Sequence, residues 1–122
     1  MRNMSTKRVS VAILAGFAIL LLPRAALAHA LLVSSTPAAN ATVHAGNIAI
    51  ELRYNSRVDG QRSTITLVAP DGHTQPLELE GQRTPTTLNA HAALQPGNYT
   101  LRWQALSTDG HITRGEIPFR VQ

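Results

Sequence analysis

The chain has 122 residues, with 11 Lys and Arg against 7 Asp and Glu, and it contains no cysteine. That length suits one domain rather than two, and the missing thiols exclude a disulfide framework, a thiolate metal centre and a cysteine nucleophile. A formal charge of +4 and an isoelectric point near 10.7 suggest an anionic partner, but Arg2, Lys7, Arg8 and Arg24 supply the whole excess. From His29 onward seven Arg face seven acids without a single Lys, too balanced and too poor in aromatics for a nucleic-acid surface.

The first element is a secretion signal. Three cations in residues 1–8 precede the apolar run Val9–Leu22, broken only by Ser10 and Gly16. As a helix that run would span about 21 Å, short of the roughly 30 Å hydrocarbon core. Pro23 ends it, and Ala26-Leu27-Ala28 offers a small–x–small cleavage site. The alternative, an uncleaved anchor, fits the short run less well. The sequence therefore predicts a leader over 1–28 and an exported, soluble domain over 29–122. Both methionines, Met1 and Met4, lie in the leader, so the exported part is free of sulfur. Any transition-metal site there must use imidazole, carboxylate or backbone nitrogen, a donor set suited to Cu(II), Ni(II) or Zn(II) and lacking a soft ligand for Cu(I).

After residue 28 the hydrophobic period is that of strands. Weak strands are expected at Leu31–Ser34, Ser63–Val68, Thr74–Glu80 and Thr86–Asn89. Clear alternation marks Asn47–Asn55 through Ile48, Ile50, Leu52 and Tyr54. It recurs in Asn98–Leu106 through Tyr99, Leu101, Trp103 and Ala105, and in Glu116–Gln122 through Ile117, Phe119 and Val121. Turn signals separate these runs: Thr36-Pro37, Asp59-Gly60, Pro70-Asp71-Gly72, Gln95-Pro96-Gly97 and Asp109-Gly110. Seven short strands predict an all-β, two-sheet sandwich of Ig-like size. Tyr99 has the spacing of a tyrosine corner, and Pro118 marks an edge or bulge position.

Three features could carry chemistry. Cleavage after Ala28 would leave His29 first, with a free α-amine and ring Nδ1 able to close a six-membered chelate on one metal ion; an amine of pKa about 7.7–8.0 yields its proton to a metal near neutral pH. Asp109-Gly110-His111 offers a carboxylate and an imidazole two residues apart, on one side if the backbone is extended, with Gly110 free to bend. Asp71-Gly72-His73 repeats that motif, but Pro70 before it reads as an ordinary type I turn. His44, His73 and His91 are expected to be surface histidines in loops, with no carboxylate pairing that marks a metal site. Ser107, Asp109 and His111 have the residue types of a hydrolytic triad, yet five residues leave no room for its geometry, so no enzyme is expected.

The segment His29-Ala30-Leu31-Leu32-Val33-Ser34-Ser35-Thr36-Pro37-Ala38 resembles the mature start of the CopC/PcoC/YobA family of bacterial periplasmic copper-binding proteins. The ending is similar to the family's too: Leu94-Gln95-Pro96-Gly97-Asn98-Tyr99-Thr100-Leu101-Arg102-Trp103, then Ser107-Thr108-Asp109-Gly110-His111, Gly115 and Phe119-Arg120-Val121. The resemblance implies an Ig-like or cupredoxin-like Greek-key β-sandwich in the periplasm that holds one Cu(II) ion per chain through His29, Asp109 and His111. It also implies a role in copper resistance or homeostasis, sequestering copper or passing it to a membrane or periplasmic partner, in the family usually an inner-membrane CopD-type copper transporter; a monomer is expected. Two departures follow from the same comparison. The family's Met-rich Cu(I) site should be absent, and Ser56 stands where many members carry a Glu near the copper. The rival readings are a histidine-brace copper oxidase and a metal-free Ig-like module.

Overall fold

A computed structural model describes residues 29–122; the leader expected over 1–28 lies outside the described residues. Eight strands form: β1 Leu32–Thr36, β2 Thr42–Val43, β3 Gly46–Tyr54, β4 Thr64–Val68, β5 Thr74–Pro76, β6 Thr87–Leu94, β7 Gly97–Leu106 and β8 Ile112–Val121. They build one sheet in the order β1-β3-β6 and a second in the order β2-β8-β7-β4-β5. All pairings are antiparallel except that of β2 with β8. The chain changes sheet between β1 and β2, β2 and β3, β3 and β4, β5 and β6, and β6 and β7, which is the interleaving of a Greek-key sandwich.

The alternating residues meet between the sheets as their period requires. Ile50, Leu52 and Leu88 from one sheet face Ile65, Leu101, Ile117 and Val121 from the other, all almost fully buried. Each such side chain contributes on the order of 1.5–3 kcal/mol on leaving water. Tyr54 meets the edge of Trp103 with ring centroids 5.3 Å apart, and Tyr99 stacks on Phe119 at 5.8 Å. The tyrosine corner is present: the Tyr99 hydroxyl donates to the Gln95 carbonyl at 2.8 Å.

Several strand limits differ from the sequence expectation. The β5 strand stops at Pro76 instead of Glu80, because the following segment crosses to the other sheet. There Leu77 N–H still bonds the Ile65 carbonyl, whereas Glu80 N–H bonds that of Asn89. The β6 strand runs on to Leu94, since its pairing with β3 continues from Arg53↔Thr87 to Gly46↔Leu94; its alanines have little strand propensity of their own. The eighth strand, β2, is two residues long and was invisible to periodicity. Pro118 lies in β8 with its carbonyl turned to Asn40 N–H, on the side away from β7. Its missing N–H therefore faces the short flank of the sheet and takes no bond from the β7–β8 ladder, which is how a proline is accommodated near an edge.

Candidate metal-binding site

The N-terminal segment is fastened before β1 begins. Leu31 N–H donates to Asn55 Oδ1 at 2.8 Å, and Asn55 N–H returns a bond to the Leu31 carbonyl at 3.0 Å. Ala30 is completely buried, and its carbonyl accepts from Thr113 Oγ1 at 2.7 Å. These three bonds carry His29 to the start of β8, where its ring lies 4.6 Å, centroid to centroid, from that of His111.

His111 closes the β7–β8 hairpin. Gly110 N–H bonds the Ser107 carbonyl at 3.0 Å and Ser107 N–H bonds the His111 carbonyl at 2.8 Å, with Gly110 at φ +90°. This is a three-residue loop whose glycine takes the left-handed position. Asp109 and His111 thus meet across a turn, not along the extended backbone assumed from the sequence. Asp109 Oδ1 accepts from His111 N–H at 3.1 Å, and Oδ2 lies 2.7 Å from His111 Nδ1. Beneath them the buried Ser107 hydroxyl donates to Asp109 Oδ1. That hydroxyl, then the His111 side chain, hold the Asp109 carboxyl at a pKa of about 2. With an ionised acceptor opposite, the proton of neutral His111 belongs on Nδ1, which leaves the Nε2 lone pair free for a metal.

The structure brings the three expected ligands together in pairs: His29 with His111, and His111 with Asp109. They do not surround one point, and among the described residues no three His, Asp or Glu side chains do. Both Asp109 oxygens are spent on Ser107 and His111, which accounts for this. The same bonds argue against a hydrolytic triad, since the Ser107 hydroxyl is bonded to the Asp109 carboxylate and the His111 carbonyl and not to the imidazole that would have to take its proton. Ser56 supplies no carboxylate; its hydroxyl is buried without a partner, as are those of Tyr54 and the indole N–H of Trp103.

Asp71-Gly72-His73 folds into the same turn. Gly72 N–H bonds the Ala69 carbonyl at 2.9 Å, Ala69 N–H bonds the His73 carbonyl at 2.8 Å, and Gly72 has φ +89°. Asp71 Oδ2 lies 2.6 Å from His73 Nδ1. The two turns differ in what surrounds them: Ala69 stands where Ser107 stands, and His29 lies beside His111 alone. They sit at opposite ends of the sandwich, since Gly97 at the start of β7 packs on Pro70. The length of β7 separates them by about 30 Å. His91, expected in a loop, lies in β6, and two of the three surface histidines contact a carboxylate, His73 through this turn and His91 through Glu80, eleven residues upstream. The crossing segment after β5 brings Glu80 to His91, and no local pattern announces it.

A family model described as CopC domain matches residues 32–122. The chain is 35% identical over 99 residues to Protein YobA of Escherichia coli strain K12, covering 78% of this chain and 80% of that one. Among solved structures, CopC from Methylosinus trichosporium OB3b superposes with a TM-score of 0.69 at 30% identity, covering 77% of this chain and 94% of that one. PcoC from Escherichia coli, described as a methionine-rich copper resistance protein, gives 0.63 at 26% identity, with 78% and 100% covered. By the extent of that family match and the shared sandwich, the chain belongs to the CopC family.

Proposed function

We propose that the chain, once freed of residues 1–28, is a monomeric periplasmic protein that binds one Cu(II) ion for copper resistance or homeostasis. CopC-family proteins bind copper and are not enzymes. The observation that carries the reading is the placement of His29 beside His111 by the Ala30–Thr113 and Leu31–Asn55 bonds. Those bonds would hold a terminal amine and His29 Nδ1 against the free Nε2 of His111. Asp109 would complete the set by releasing one oxygen from its present partners, giving the nitrogen-and-oxygen donors that Cu(II) prefers. The protein then sequesters the copper or passes it to a membrane or periplasmic partner, such as a membrane transporter of the CopD type. Without Met or Cys after residue 28, Cu(I) finds no soft ligand, so reduction favours release.

The test compares the protein beginning at His29 with one carrying a single Gly before it. The added residue moves the amine out of chelate range while leaving both imidazoles. Cu(II) competition titrations and electron paramagnetic resonance should show tight nitrogen-rich binding in the first and a large loss in the second. Equal binding by the two would refute the site. Anaerobic ascorbate should strip copper from the loaded protein; retention of Cu(I) with undiminished affinity would refute release by reduction.

A further inference from the structure

A second cluster of ligand-type side chains lies far from His29, on the outer face of the β1-β3-β6 sheet. The register pairs Glu51 with Asn89 and Ala49 with His91. Glu51, Asn89 and His91 therefore share that face, and the small Ala49 leaves room beside His91. The crossing segment after β5 roofs the face, with Glu80 N–H bonded to the Asn89 carbonyl at 2.8 Å and the Glu80 carboxylate in direct contact with His91 Nδ1. Together they line a cavity of about 180 Å³.

Asn89 is the unexplained member. It is 4% exposed, and its Nδ2 reaches Glu51 at 3.4 Å, but its Oδ1 is shielded from water and has no donor. Buried carbonyl oxygens nearly always have a partner, and a His–Glu ion pair alone leaves this one without any. Glu51 is already occupied by Arg53 at 2.9 Å, and Arg83 stands 3.5 Å from the Glu80 oxygen turned away from His91. A cation that displaces the proton between His91 Nδ1 and the Glu80 oxygen beside it would take both atoms as donors, with the unpartnered Asn89 Oδ1 as the third. One imidazole nitrogen with two oxygens is a donor set for a borderline divalent ion such as Zn(II). We infer that Glu80, Asn89 and His91 form a second binding site, for one divalent cation of the Zn(II) class, independent of the site at His29. Three protein donors, with the exposed Arg83 guanidinium paired to Glu80, make the site weaker than a closed four-ligand zinc centre.

Zn(II) is diamagnetic, which allows a titration followed by nuclear magnetic resonance on the protein beginning at His29 and on the Gly-extended form. One saturable equivalent should shift the His91 ring and the Asn89 side-chain amide in both forms. Glu80→Gln and His91→Gln should each weaken it at least tenfold, whereas His73→Gln should leave it unchanged. Amide dispersion of each variant establishes that it is folded. Zn(II) that perturbs only His29, His44, His73 or His111, or that binds Glu80→Gln and His91→Gln as well as the parent, overturns the inference. Because the Gly-extended form lacks the proposed copper chelate, loss of copper with retained Zn(II) separates the two sites.

Discussion

Thr113→Val tests the fastening of the N-terminal segment directly. Valine keeps the volume, the β-branch and the strand propensity of threonine, so the one thing removed is the hydroxyl that bonds the Ala30 carbonyl at 2.7 Å. Ala30 is fully buried, and among the described residues no other donor reaches that carbonyl. Leaving such a group unpaired costs about 1–3 kcal/mol. In a domain of this size each kcal/mol lowers the thermal midpoint by about 4–8 °C. The alternative outcome is local: residues 29–31 detach and rehydrate, the midpoint moves less, and His29 is no longer presented to His111. A fastening weakened by about 1.4 kcal/mol in this way costs about tenfold in affinity. Trp103, the sole tryptophan, reports unfolding of the metal-free protein by fluorescence, and a Cu(II) competition titration reports the site. Thr113→Ser, which keeps the hydroxyl, should retain most of both. A Thr113→Val protein with an unchanged midpoint and unchanged Cu(II) affinity would refute the fastening argument.

Gly115→Ala should destabilise by about 1–3 kcal/mol, the range for overpacking a core. The new Cβ would sit 2.5 Å from the Trp103 ring, which Tyr54 confines; a urea midpoint equal to wild type would show that the ring slides freely. Asp109→Asn should flatten the acid dependence of stability. Its carboxyl is held at about 2 against an ordinary 3.8, so its contribution is present above 3.8 and lost as pH falls towards 2. Wild-type and variant melting curves that run parallel across that interval would contradict the assignment. Ala69→Ser gives the second turn the hydroxyl that Ser107 gives the first, and it should add no Cu(II) equivalent, since His29 is at the other end of the sandwich. A gain of one tight Cu(II) would mean that the turn suffices without the terminal histidine.

The sandwich was legible because its long strands state their own period. Ile48, Ile50, Leu52 and Tyr54 alternate without interruption, and so do Tyr99, Leu101, Trp103 and Ala105; both sets are buried. Tyr99 and Pro118 could be placed for the same local reason. The parts that went unread depend on distant partners. Thr42–Val43 is a strand only because β8 pairs with it, and the alanines of β6 are extended only because β3 lies alongside. The candidate site divides in the same way. Both Asp-Gly-His segments make one turn, because Gly takes the left-handed position and the carboxylate receives the next histidine's N–H and ring. The motif therefore reports turn chemistry and says nothing of a metal. One local residue separates the two, Ser107 against Ala69 at the first position of the loop. The larger difference comes from a bond between residues 83 positions apart, Thr113 to Ala30, which lays His29 beside one turn and leaves the other alone. A pairing at that separation has no signature in composition, period or spacing, so the residues alone leave the choice between the turns open, and only the likeness of the whole chain to a family favours one.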